Sequence, residues 1–138
     1  MNIVEEYKLN KTRLKIFKNN IELYKNNYLN LDEDKCIKMI NNLNLEINTL
    51  TEFNTKFINA HGLLNEYEKF FIEERYFKNK LLKEITNFYL ENQDLIHTIS
   101  PNIKHHVGLK SLKTIEGYLI AFNKKILSKL EGSVKNEL

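Results

Sequence analysis

The sequence lacks several features that are typical of secreted and membrane proteins. It has a single cysteine, Cys36, so no disulfide can form within the chain. No apolar run reaches the roughly eighteen residues that a membrane-spanning helix needs, and no signal peptide opens the chain. With one proline and four glycines, long helices meet few interruptions. These absences predict a cytoplasmic protein with no membrane partner and with long helices.

A recognisable catalytic or metal-binding motif is also missing. The four glycines are not clustered into a phosphate-binding loop, and no nucleophile can be matched with a histidine base and an acid. His97, His105 and His106 lie close together in the sequence. The one thiol ligand, Cys36, lies in the other half of the chain, which disfavours a zinc site. We therefore expect no metal, no cofactor and no enzymatic activity.

The net charge of +3 is unevenly distributed along the chain. Residues 1–31 carry six basic and three acidic side chains, residues 32–100 eight and twelve, and residues 101–138 seven and three. A basic end after an acidic middle is compatible with an anionic partner. Many lysines, however, simply lie on the solvent-exposed face of a helix. The charge alone therefore does not distinguish a surface that binds an anionic partner from an ordinary exposed surface.

Apolar residues repeat every seven positions over the first half of the chain. The first repeat occupies Ile3, Tyr7, Asn10, Leu14, Phe17, Ile21, Tyr24, Tyr28 and Leu31. The second occupies Cys36, Ile40, Leu43, Ile47, Leu50, Asn54, Phe57, His61 and Leu64. Asp32, a good helix cap, stands between them, and Gly62 is expected to end the second helix. Each repeat places an apolar seam along one helix. The two seams predict an antiparallel, coiled-coil-like hairpin over residues 1–63, used as a dimerisation or packing arm.

Helices are also predicted in the second half of the chain. Asn65 and Glu68 have the spacing of a capping box, which opens a helix. An amphipathic helix is expected to begin near Leu81 and to run on through Ile99 until Pro101 ends it. No stretch alternates between apolar and polar residues in the manner of a strand, so the predicted fold class is all-α.

The segment from Ile103 to Ile115 has the layout of a helix-turn-helix, predicted near residues 103–122. Gly108 supplies the positive torsion of the tight turn, and Ser111 caps the helix that follows, which is expected to end at Gly132. Side chains at the exposed start of that helix would reach phosphates and base edges. The DNA-binding residues expected there are Lys104, His105, Lys110, Ser111, Lys113, Thr114 and Gly117. An ordinary turn between two bundle helices has the same sequence signature.

The run 64–77, followed by 82–86, resembles the opening of region four of sigma factors. It is also similar to phage late-gene transcription regulators of the ArpU type, in which a coiled arm precedes that region. In these families a helix with an Arg-Tyr-Phe pattern, here at 75–77, packs against a helix-turn-helix that reads promoter DNA. Ile85 and Ile115 lie farther apart than the corresponding positions in these families. Either residues have been inserted between them, or the domain has diverged and no longer binds DNA.

We therefore expect an all-α protein with a hairpin at 1–63, a sigma-region-four-like helical domain at 64–132 that contains the helix-turn-helix, and a frayed tail at 133–138. The resemblance implies a DNA-binding transcription regulator of phage or mobile-element origin. Its expected partners are double-stranded DNA, RNA polymerase or another protein, and a second copy in a homodimer. The alternative is a non-enzymatic helical bundle that binds another protein, as an inhibitor, immunity or scaffold protein does.

Overall fold

The computed structural model describes residues 1–27, 30–100 and 108–136, and this part of the chain contains helices and no strand. The all-α fold class is confirmed. The α-helices are α1 (Ile3–Lys25), α2 (Glu33–Gly62), α3 (Glu66–Ile72), α4 (Leu82–Glu91) and α5 (Leu112–Asn136). A π-helical turn, Glu73–Phe77, follows α3, and a 3₁₀ helix, Gln93–Thr98, follows α4. The chain divides into two compact units: unit 1 contains Met1–Ala60 and the described residues from Ser133 onward, and unit 2 is His61–Gly132.

In unit 1, α1 and α2 pack together as the predicted helical hairpin. The Tyr7 ring stacks on the Phe57 ring with 4.3 Å between their centroids. Next to this pair, the Asn10 side-chain amide donates a hydrogen bond of 3.4 Å to Asn54 Oδ1, and both asparagines are buried. A buried polar pair in an apolar seam favours the one register that lets the two amides meet.

The ends of α2 follow from local side-chain chemistry. Asp32 Oδ1 accepts a hydrogen bond of 2.8 Å from the Lys35 backbone N, which confirms Asp32 as the cap. Before it, Asn27 adopts a positive φ of 50° and accepts a hydrogen bond of 2.9 Å from the Leu31 backbone N. The helix stops at Gly62, as predicted.

In unit 2, α3 opens with the predicted capping box. Asn65 Oδ1 accepts a bond of 2.8 Å from the Glu68 backbone N, and Glu68 Oε1 accepts one of 2.9 Å from the Asn65 backbone N. Behind the box, the Phe71 ring packs edge-on against the Phe122 ring of α5. The apolar core of this unit consists of Leu64, Phe71, Ile72, Ile85, Tyr89, Ile96, Ile99, Ile115, Leu119, Phe122, Ile126 and Leu130.

The predicted helix from Leu81 through Ile99 is wrong in its second half. α4 ends before Asn92, whose backbone (φ −125°, ψ 63°) is not helical. The Asn92 side chain donates a hydrogen bond of 2.8 Å to the Phe88 carbonyl, and Gln93 Nε2 donates one of 3.1 Å to the Leu90 carbonyl. These side chains satisfy carbonyls that further helical turns would otherwise have used.

The prediction that α5 ends at Gly132 and that a frayed tail follows is also wrong for the described residues. The helix continues through Asn136, and Val134 is buried in unit 1. A glycine inside a helix costs only about 1 kcal/mol relative to alanine, and burying a valine side chain offsets a penalty of that size. Gly132 is therefore tolerated within the helix.

Candidate nucleic-acid interface at the start of α5

α5 begins with a side-chain cap from Ser111, as the sequence predicts. Ser111 Oγ accepts a hydrogen bond of 3.2 Å from the Thr114 backbone N and lies 2.9 Å from Thr114 Oγ1. The cap satisfies one of the amides that lack a partner at a helix start. Both side chains are exposed, so the positive end of the helix dipole is accessible to a dissolved anion.

The segment that leads into α5 is fixed by Gln93, which follows α4. The Lys110 backbone N donates a bond of 3.0 Å to Gln93 Oε1, and Gln93 Nε2 donates one of 3.3 Å to the Lys110 carbonyl. Gly108 has a φ of 109°, so a glycine does occupy a left-handed position there. The role of Gln93 cannot be predicted from the sequence, because nothing local marks a glutamine that binds backbone atoms 17 residues away.

The first two turns of α5 have an exposed side and a buried side. Lys113, Thr114 and Gly117 are exposed. Ile115 and Leu119 have no accessible surface and anchor the opposite side in the core of unit 2. Of the residues predicted to bind DNA, the described ones that lie together here are Lys110, Ser111, Lys113, Thr114 and Gly117. Lys104 and His105, with the rest of the first predicted motif helix up to residue 107, lie outside the described residues.

The lysines of α5 in unit 2 do not all share one side of the helix. Lys113 and Lys124 are three helical turns apart, with Gly117 between them, and these three residues form a stripe that we call the outer stripe. Lys125 projects from a different side. Lys129 is directed at Glu68, with Nζ 3.1 Å from Oε1 and 3.3 Å from Oε2. The basic surface near the start of α5 is therefore a narrow line.

The Arg-Tyr-Phe pattern lies in the π-helical turn, and its tyrosine contacts α5. Tyr76 Oη donates a hydrogen bond of 2.7 Å to Asn123 Oδ1 of α5. Arg75 Nη1 donates one of 2.9 Å to the Lys80 carbonyl, which closes the chain reversal after the turn. The pattern thus links the turn to α5 and keeps the turn itself folded.

Within the part of the chain that the structure describes, three ionisable groups have shifted pKa values with structural causes. The hydrogen bond from Lys80 lowers the pKa of Glu74, burial opposes this, and Lys78 adds to the lowering. Burial, with a smaller effect of Lys69, lowers the pKa of His61. Burial raises the pKa of Tyr89 to about 12. Within the described ranges, no group of three or more His, Cys, Asp or Glu residues could hold a metal ion.

A second candidate surface lies in unit 1, on one side of the hairpin. A groove of about 350 Å³ is lined there by Arg13, Phe17, Leu45, Glu46, Thr49 and Leu50. We call it the hairpin groove. Its walls are largely apolar, and each helix contributes one charged side chain of opposite sign. A lining of this composition is typical of a surface that binds protein.

None of the helices that the structure describes combines the length and the apolar character needed to cross a bilayer. Comparisons with protein-family models, with curated proteins and with solved structures found no match to this chain.

Proposed function

We propose that the chain is a non-enzymatic protein that binds duplex DNA with the first turns of α5. The observation that supports this proposal is the exposed, capped helix start at Ser111, with Lys113, Thr114 and Gly117 turned outward. The buried Ile115 anchors the other side, so these exposed side chains stand on a rigid support.

Each exposed residue can supply a different part of DNA recognition. The helix start attracts phosphate oxygens through its dipole and its open amides. Lys113 adds a mobile positive charge, and the Thr114 hydroxyl can bond a phosphate or a base edge. A hydrogen in place of a side chain at Gly117 lets the wall of the major groove approach the backbone closely. An α-helix fits within that groove.

The sequence resemblance suggests the use to which DNA binding is put. Residues 64–77 and 82–86 resemble sigma factor region four and ArpU-type regulators, whose helix-turn-helix reads promoter DNA. We therefore infer a transcription regulator of phage or mobile-element origin that acts in the cytoplasm and has RNA polymerase as a further partner. Lys104 and His105 belong to the same proposed interface.

Fluorescence anisotropy with a labelled duplex at several salt concentrations tests the proposal. We expect affinity to fall as salt rises, because bound lysines release counterions from the phosphates. Lys113→Ala should weaken binding and reduce the slope of log affinity against log salt by about 0.9. Lys83→Ala is the matched control: it removes one exposed lysine of unit 2 from α4 and should leave both values unchanged.

Two results would overturn the proposal. One is the absence of salt-sensitive binding to any duplex from a random-sequence pool. The other is an equal loss of affinity in Lys113→Ala and Lys83→Ala, since that would mean that binding depends on total charge and not on the start of α5.

The hairpin groove favours a second candidate, a helical bundle whose function is to bind another protein. Under this alternative the outer stripe is only a solvent-exposed surface of α5, and Lys113→Ala does not change the affinity for the protein partner. Leu45→Ala would weaken partner binding instead, because Leu45 lines the groove and is 66% exposed. Loss of DNA binding in Lys113→Ala but not in Leu45→Ala would support the DNA-binding function, and loss of protein binding in Leu45→Ala alone would support the protein-binding one.

A further inference from the structure

The middle of the hairpin does not close its own apolar seam. Between Asn10 and Ile21 on α1, and between Cys36 and Asn54 on α2, no residue is fully buried. The seam residues in these stretches are only half-buried: Leu14, Phe17, Ile40, Leu43, Ile47 and Leu50. Two helices cover each other on one side only, and the apolar positions of a helical bundle become fully buried when further helices are added.

The open part of the seam continues onto one side of the hairpin. The hairpin groove lies on this side, between Phe17 of α1 and Leu50 of α2. Ile16 and Leu23, which are 49% and 43% exposed, lie three and ten residues after Arg13, on the flank of α1 next to this wall of the groove. Leu45 forms the other rim. Together with the half-buried seam residues, these exposed aliphatic side chains form an apolar surface that is larger than the groove itself.

The charges of the groove are self-complementary. Arg13 stands on the α1 wall and Glu46 on the α2 wall, and both are exposed. Among the ion pairs that the described residues form, none joins these two side chains. A two-fold axis parallel to the helices would place α1 of one copy against α2 of the other, so that each arginine faces a glutamate of the second copy.

We propose that a second copy of this chain occupies the hairpin groove and that the two hairpins form a four-helix bundle with Arg13 of each copy paired to Glu46 of the other. In this arrangement all neighbouring helices are antiparallel, as in up-and-down bundles. A two-fold axis across the helices would instead set Arg13 against Arg13, which like-charge repulsion disfavours. The inference rests on the hairpin alone and does not depend on DNA binding.

Charge reversal provides a test that distinguishes a second copy from any other occupant. Arg13→Glu and Glu46→Arg are each expected to turn the dimer into a monomer, measured by sedimentation velocity, because two attractive contacts become repulsive. We expect the dimer dissociation constant to rise more than about tenfold in each variant. Mixing the two variants in equal amounts should restore a dimer, now with one copy of each, because both contacts are attractive again.

Controls keep this test independent of folding. Lys15→Glu makes the same charge change as Arg13→Glu on the opposite side of α1 and should remain dimeric. If a charge variant fails to fold by circular dichroism, Leu45→Ala replaces it, with an expected rise of about tenfold in the dissociation constant from the lost apolar contact.

Three results would overturn the proposal: a wild-type chain that stays monomeric at its highest soluble concentration, single variants that stay dimeric, or a mixture that stays monomeric. The double variant Arg13→Glu, Glu46→Arg should dimerise like the wild type. Loss of DNA binding has no bearing on these readouts, so failure of the proposed function and failure of this inference are separable.

Discussion

Replacing Lys129 by methionine should destabilise unit 2 more than replacing its partner Glu68 by glutamine. The Glu68 side chain is 1% exposed, whereas that of Lys129 is 47% exposed. Lys129→Met leaves a buried carboxylate without its cation and should cost about 3 kcal/mol. Glu68→Gln still accepts the bond from the Asn65 backbone N, and the freed ammonium can turn to water, so the expected cost is about 1 kcal/mol.

Urea unfolding followed by circular dichroism at pH 7 measures these costs, provided that the slope against urea is the same in all variants. The double variant should be more stable than Lys129→Met alone, because removing the buried charge also removes the penalty for leaving it unpaired. Lys125→Met, on another side of α5, should change stability by less than about 0.5 kcal/mol. If Lys129→Met destabilises the protein no more than Glu68→Gln does, then burial of the Glu68 carboxylate does not determine the difference between the two variants.

Two further predictions concern backbone geometry and pH. Gly108→Ala should destabilise the protein by about 2 kcal/mol in the same urea assay, because its φ of 109° strains any other residue. Gly117→Ala, an exposed helical site with open space around the added methyl, should instead stabilise it by about 0.5 to 1 kcal/mol, and equal effects at the two sites would contradict this. The pKa of Glu74 is lower in the folded chain than its ordinary value of 4.5, so its contribution to stability is complete above that pH and is lost as the pH falls through the folded value. Melting temperatures measured from neutral to acid pH should therefore fall less in Glu74→Gln than in the wild type, and parallel curves would contradict the assigned cause.

The features that could be predicted from the sequence are the local ones. The hairpin follows from a seven-residue repeat that continues along both helices, and the capping box at Asn65 follows from spacing within one turn. Contacts between distant residues carry no such signal. Glu68 and Lys129 are 61 residues apart, and Gln93 and Lys110 are 17 apart, so only the folded chain reveals that they meet.

At the candidate site, too, the features that could be predicted from the sequence are the local ones. The Ser111 cap and the positive torsion at Gly108 follow from residue type and position, and both are confirmed. The end of α4 is not marked in the sequence, because apolar spacing continues through Leu95 and Ile96 into the 3₁₀ helix. The spacing of apolar residues shows which side chains face the core. It does not show where side-chain amides bond to backbone carbonyls and so end a helix.

The side-chain amide of Gln93 holds together two points of the chain that lie 17 residues apart, one shortly after α4 and the other directly before the Ser111 cap. The entropy of closing a loop grows only slowly with the number of residues in it. An insertion that follows the buried Ile96 and Ile99 and keeps the contact between Gln93 and Lys110 should therefore leave the position of the α5 start nearly unchanged.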